Sequence, residues 1–217
     1  MNSLHRMPSS FQSILAEFRH LFRVGTFESF VILVKGWIQC FGRRTISQAI
    51  RAAGNDGRAK QFSSFYYFFS QATWDTIELG ECIFLLLLPS LPKSIVVAID
   101  DTLCEKTGPH LFGGGIHHDS HRSTYGRFTN AGKRVAFAFG WNFVVTAIHV
   151  PLPWNNDKGV AIPVCVSLYR SKKTCPKNLY KKRTTIAAEH LQRIAYWFDI
   201  YELEFDVTVA VDSEYSC

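Results

Sequence analysis

The hydrophobic period of this chain changes once, near Lys93, and that change constrains the fold more than any other feature. Up to about residue 90, apolar residues recur at helical spacing; beyond it they come in continuous runs. Phe11, Ile14, Leu15, Phe18, Leu21 and Phe22 recur at three- and four-residue steps and make one apolar helix face. Thr26 or Ser29 is placed to cap a second helix running through Gln39. Thr45 is placed to cap a third over 46–53, ended at Gly54 in an Asn-Asp-Gly turn cluster. The aromatic-rich stretch 62–69 and the stretch 73–88 read as two more helices, the last stopped by Pro89 and Pro92.

The second half reads differently. Ile95-Val96-Val97-Ala98-Ile99 is a continuous apolar run, as in a buried strand. Residues 108–132 are Gly- and His-rich and read as loop. Residues 135–150 read as a long strand, bent or broken near Gly140, and 160–168 as another. Residues 181–197 read as a helix, with Ile186, His190, Ile194 and Trp197 on related faces. Residues 205–211 read as the last strand. The predicted class is α/β, α+β overall: a helical domain over 1–92, then strand, strand, strand, helix, strand over 93–217. Trp141, Trp154 and Trp197 are expected in packing roles.

The chain has 217 residues, 47% of them hydrophobic, which excludes a disordered segment. Six cysteines form no C-x-x-C pair, so neither a disulfide framework nor a zinc ribbon is expected. The first thirteen residues have no long apolar stretch, so no signal peptide is expected. Neither apolar stretch, 27–41 or 82–88, suits a bilayer span: Glu28 and Lys35 interrupt the first, and the second is too short. A soluble cytoplasmic protein is the expectation. Lys and Arg total 24 against 18 Asp and Glu, a formal charge of +6, which leans towards a polyanionic partner.

Two acidic positions stand at strand ends. Asp100-Asp101-Thr102 follows the first apolar run, and Asp212-Ser213-Glu214-Tyr215 follows the last strand. Carboxylates on the ends of buried strands project from a rigid base, and two or three converging can hold Mg²⁺ or Mn²⁺ through hard oxygen ligands. The plainer reading is that Asp follows strands because it starts turns.

Arg170, Lys172, Lys173, Lys177, Lys181, Lys182 and Arg183 form a run without an acidic residue. Such a run suits phosphate neutralisation, or a solvated loop and helix start. Arg43, Arg44, Arg51, Arg58 and Lys60 form a thinner group around the third helix. His110, His117, His118, Asp119 and His121 lie within twelve residues, and a zinc site is the rival reading of that stretch.

The strand order and the two acidic sites resemble the ribonuclease H-like core, and more narrowly the DDE transposases of bacterial insertion sequences. The resemblance rests on Asp100-Asp101-Thr102, on 160–170 ending in Leu-Tyr-Arg, and on Asp212 with Tyr215 three residues on. Gly42-Arg43-Arg44-Thr45 and the aromatic block with Phe65, Phe68, Phe69 and Ser70 add to it, resembling the helical DNA-binding region ahead of such a core. It implies a first catalytic Asp at Asp100 or Asp101, with Asp100 preferred because it directly ends the apolar run, and a second at Asp212. It implies Mg²⁺ or Mn²⁺, DNA as substrate, and DNA contacts by Arg43, Arg44, Arg170, Lys172, Lys173, Lys181, Lys182 and Arg183. It also implies a homodimer or pairing with an intact transposase, and a nucleoid-associated bacterial location. The family's third carboxylate is a Glu on a helix well downstream of the second Asp. Only five residues follow Asp212, and Glu214 is a poor substitute. The expectation is therefore a C-terminally truncated core, inactive by itself, with a DNA-binding remnant or regulator as the alternative.

Overall fold

A computed structural model describes residues 7–108, 110–119, 122–123, 135–212 and 215, without the side chains of Asn156 and Asp157. His121 and Glu214 lie outside the described residues. The chain divides into two compact units, Met1–Leu86 and Leu87–Cys217.

The first unit is helical: α1 (Ser9–Glu17), α2 (Val24–Gln39), α3 (Ile46–Ala52), α4 (Asn55–Arg58), α5 (Phe62–Ser70) and α6 (Thr76–Leu87). The core lies on two sides of α2. Val31 and Phe27 pack with Leu15, Phe18 and Cys82, while Ile32 and Leu33 pack with Ala49, Ile50, Phe65 and Phe68. Thr45 caps α3, its Oγ1 accepting the Gln48 N–H at 3.3 Å.

Two helix boundaries differ from the sequence expectation. α2 starts at Val24, with Arg23 at the cap position and its carbonyl accepting the Phe27 N–H. Ser29 Oγ instead donates to the Gly25 carbonyl. The Asn-Asp-Gly cluster is the short helix α4 and not only a turn. Asp56 pairs with the buried Lys35, and Gly57 approaches the Ile50 carbonyl closely enough that a Cβ would lie 2.0 Å from it.

The second unit is a five-stranded sheet with one long helix: β1 (Ser94–Glu105), β2 (Gly115–His118), β3 (Phe137–Leu152), β4 (Asn155–Tyr169), α7 (Arg183–Ile200) and β5 (Asp206–Val211). β3 is central. β1 runs antiparallel on one edge, and β2 and β4 share the other edge, at 137–140 and 142–152. β5 runs parallel to β1. The mixed sheet and helix confirm the α+β class.

Three features correct the sequence expectation. The stretch expected as loop contains β2, which adds a strand to the expected order. β3 does not break at Gly140, because Gly140 pairs with Glu105 on one side and Gly115 on the other. A Cβ there would sit 2.2 Å from the Cys104 carbonyl, so glycine serves close strand approach. Trp197 is fully buried, but Trp154 is 80% exposed in the turn between β3 and β4 and packs in no core.

Strand alternation sets the two faces of the sheet. On β1, Ile95, Val97 and Ile99 are buried, facing the side taken by α7. Val144, Thr146 and Ile148 of β3 share that side and are fully buried. Ile186 and Ala187 of α7 pack on Ile99 and Val144, with Tyr169, Leu191 and Tyr215 around them. His190 fastens α7 to the sheet: its Nδ1 lies 2.9 Å from Thr146 Oγ1 and its Nε2 2.8 Å from Ser167 Oγ.

Candidate metal and DNA site

The parallel pairing of β1 with β5 runs to Ile99 opposite Val211. Asp100 follows Ile99 inside β1, which corrects the expectation of a strand end there because β1 stays paired with β3 as far as Glu105; Asp212 follows Val211 just past the end of β5. Neighbouring strands are about 4.8 Å apart, so the two backbones bring these acids to adjacent positions. Just beyond, the Tyr215 N–H donates to the Asp212 carbonyl at 2.9 Å. Asp100 is exposed, and its Oδ1 accepts the Asp101 N–H at 2.8 Å.

Asp101 is half-buried and follows Ile95, Val97 and Ile99 onto the α7 side. Its Oδ2 accepts Asn142 Nδ2 at 2.7 Å and lies 3.7 Å from Arg183 Nη1. The Arg183 guanidinium carbon stands 4.9 Å from the centre of the Tyr169 ring, and His117 meets the same ring edge-on at 5.9 Å. Burial lowers the His117 pKa, the Arg183 charge lowers it further, and Asp101 partly opposes this. The α7 side of the sheet thus carries a partly paired polar cluster, in which His117 Nε2 and Asn142 Oδ1 are buried without a hydrogen-bond partner among the described residues.

The basic run divides by what each side chain already holds. Lys181 pairs with both oxygens of Glu189 at 2.6 and 2.8 Å. Arg170 lies over the Phe112 ring at 4.9 Å, and Arg183 is committed to Tyr169 and Asp101. Lys172, Lys173, Lys177 and Lys182 are exposed. Arg43 and Arg44 are exposed in the segment that joins α2 to α3.

The histidine stretch is split by its own strand. His117 is buried and His118 exposed, on opposite faces of β2. His118 Nε2 lies 2.9 Å from Ser123 Oγ, and the Asp119 carboxylate accepts the Arg122 N–H at 3.1 Å. Among the described residues, no three His, Cys, Asp or Glu side chains gather where one metal ion could be held. The donor chemistry at Asp100 and Asp212 fits two oxygen ligands of a hard divalent cation.

A family model described as DDE superfamily endonuclease matches residues 17–217. The chain belongs to that family. No curated protein and no solved structure matches it. DDE endonucleases act on DNA and typically use divalent metal ions. No helix of the described residues is long and apolar enough to cross a membrane.

Sequence reasoning did not single out Asn142 or the Thr146–His190–Ser167 bridge. The signal was present for both. Asn142 is the lone amide of a strand whose other polar side chains are Thr146 and His149, and His190 falls at the helical period of Ile186 and Ile194.

Proposed function

We propose that this DDE-family chain is a transposase core that cleaves and transfers DNA strands at transposon ends, with Asp100 and Asp212 as two of its metal-holding carboxylates. The parallel β1–β5 register carries this reading, because Asp100 and Asp212 each follow its last partners, Ile99 and Val211. A Mg²⁺ or Mn²⁺ ion bound there supplies positive charge to an attacking oxygen and to the phosphate under attack. Asp101 is assigned away from the metal, since Asn142 and Arg183 already engage it. Lys172, Lys173 and Lys182 of the second unit neutralise DNA phosphates; the helical region over 1–92 we assign to DNA binding, with Arg43 and Arg44 as its own phosphate contacts. Arg170, Lys181 and Arg183 support that segment through their internal partners.

The two carboxylates do not complete a three-acid centre among the described residues. This favours a second reading: the 217 residues bind DNA and metal without cutting, as a remnant or a regulator that pairs with an intact transposase or with a second copy. The described cysteines Cys40, Cys82, Cys104, Cys165 and Cys175 are free, which suits a reducing bacterial cytoplasm and nucleoid DNA.

The deciding experiment follows nicking of supercoiled plasmid in Mg²⁺ and Mn²⁺, together with Mn²⁺ binding by paramagnetic broadening. Mn²⁺ should broaden amides near Asp100 and Asp212, and broadening without plasmid nicking would favour the second reading. Nicking lost on Asp212→Asn would establish the cutting enzyme over the regulator. Broadening centred elsewhere and indifferent to both acids would remove the metal assignment.

A further inference from the structure

Four aromatic rings on α5 face solvent although their neighbours on the same helix are buried. Phe65 and Phe68 lie in the core, whereas Phe62, Tyr66, Tyr67 and Phe69 are 46%, 42%, 61% and 42% exposed. Phe62, Tyr66 and Phe69 recur at i, i+4 and i+7, so they form one stripe along the helix. Phe62 and Tyr66 have ring centres 5.5 Å apart. Phe69 continues the stripe onto α2, with its ring centre 6.0 Å from that of Trp37.

The rings are held in place and bordered by positive charge. Tyr66 Oη lies 3.0 Å from Ser47 Oγ on the first turn of α3. Arg51 is one turn beyond Ser47 on the same helix face, and Arg44 lies three residues before it; both are exposed. Between residues 41 and 72 the sequence has five basic residues and a single acid, Asp56. That acid is already paired with Lys35. The stripe therefore has no acidic group of its own segment left to face a partner.

We propose that the Phe62–Tyr66–Phe69 stripe binds unpaired nucleotides, its rings stacking on exposed bases while Arg44 and Arg51 take the phosphates. Every base offers a π-face, so stacking is tolerant of sequence, and arginine charge supplies the backbone attraction. An apolar partner protein would not call for the arginine border, and duplex DNA would not offer its bases to the rings. The inference rests on the chain acting on DNA and adds that it prefers melted or single-stranded segments.

The test compares fluorescence anisotropy of the full chain on a short single strand and on the same sequence as a duplex. Phe62→Ser with Tyr66→Ser should weaken single-strand binding by about five-fold or more per ring, with duplex binding nearly unchanged. Tyr66→Phe, which keeps the ring, should retain it. Ultraviolet cross-linking of a bromodeoxyuridine single strand to the unmodified chain should map to 62–69, a readout independent of how the variants fold. Equal loss on both DNAs, cross-links confined to other segments, or a variant that changes only self-association would overturn the proposal. If the chain binds no DNA of either kind, the transposase reading fails as well. Duplex binding without single-strand preference sinks this inference alone.

Discussion

Asp100 and Asp101 are consecutive on β1 and present their carboxylates to opposite faces of the sheet. One faces solvent, one residue past the last β1–β5 pair. The other is drawn into a cluster with Asn142 and Arg183. A strand alternates sides at every residue, so two neighbouring acids cannot do the same work.

Asp100→Asn and Asp212→Asn should each abolish the Mn²⁺-dependent broadening, while Asp101→Asn should leave it in place. The measurement is an amide spectrum titrated with Mn²⁺. A chain that loses metal binding through Asp101 and keeps it through Asp100 would reverse the assignment.

The stability cost should run the other way. Asp101→Ala strands the Asn142 amide and the Arg183 guanidinium, and a hydrogen bond to a charged group contributes about 2 kcal/mol. Asp100→Ala removes an exposed side chain and should change stability by about 0.5 kcal/mol or less. Urea denaturation of the two variants checks the contrast.

Acid should loosen the second unit. Burial holds the His190 pKa below its usual 6.5, with Glu189 opposing. The His117 pKa is lowered as well, chiefly by burial. A base with a depressed folded pKa is taken up neutral by the fold, and the unfolded chain binds its proton more readily. Stability is full above about pH 6.5, falls as pH drops through that value, and levels off below the folded pKa values. Thermal melts stepped from neutral to mildly acid pH should show the fall, and His190→Gln should reduce it. A melt that stays flat with pH would remove the role of both imidazoles.

Gly36 marks a close approach of α2 to α3. A Cβ on it would lie 2.0 Å from the Ala49 carbonyl oxygen, a backbone atom that cannot rotate away. Gly36→Ala should therefore destabilise by about 3 kcal/mol, at the upper end of overpacking costs. A lowered melting temperature with unchanged helix content at low temperature is the expected result.

Salt dependence separates the lysines. Replacing Lys172, Lys173 and Lys182 by Ala should flatten the slope of log affinity against log salt, by about 0.9 for each duplex phosphate no longer neutralised. Lys181→Ala should change it less, because Glu189 already neutralises that ammonium. An equal effect from Lys181 would show that the ion pair opens on binding.

The sequence carried much of this chain's organisation. The change of period near Lys93 separated helices from strands, since one helix face repeats every three to four residues and a buried strand has no such gap. It marked Asp212 as following the last strand and Thr45 as a cap that accepts a hydrogen bond, but it ended the first strand at Asp100, where pairing with β3 carries β1 on to Glu105. Only the tertiary structure decided what those groups do. Pairing register is non-local, so the neighbouring positions of Asp100 and Asp212, more than a hundred residues apart, depend on how β5 aligns with β1. The same holds for β2, whose four residues became a strand because β3 offered an open edge. It holds too for the basic run, where composition counted seven like charges and packing assigned Lys181 to Glu189 and Arg183 to Asp101. Local chemistry fixed the kind of each residue; distant neighbours, brought near by the sheet, fixed its partner.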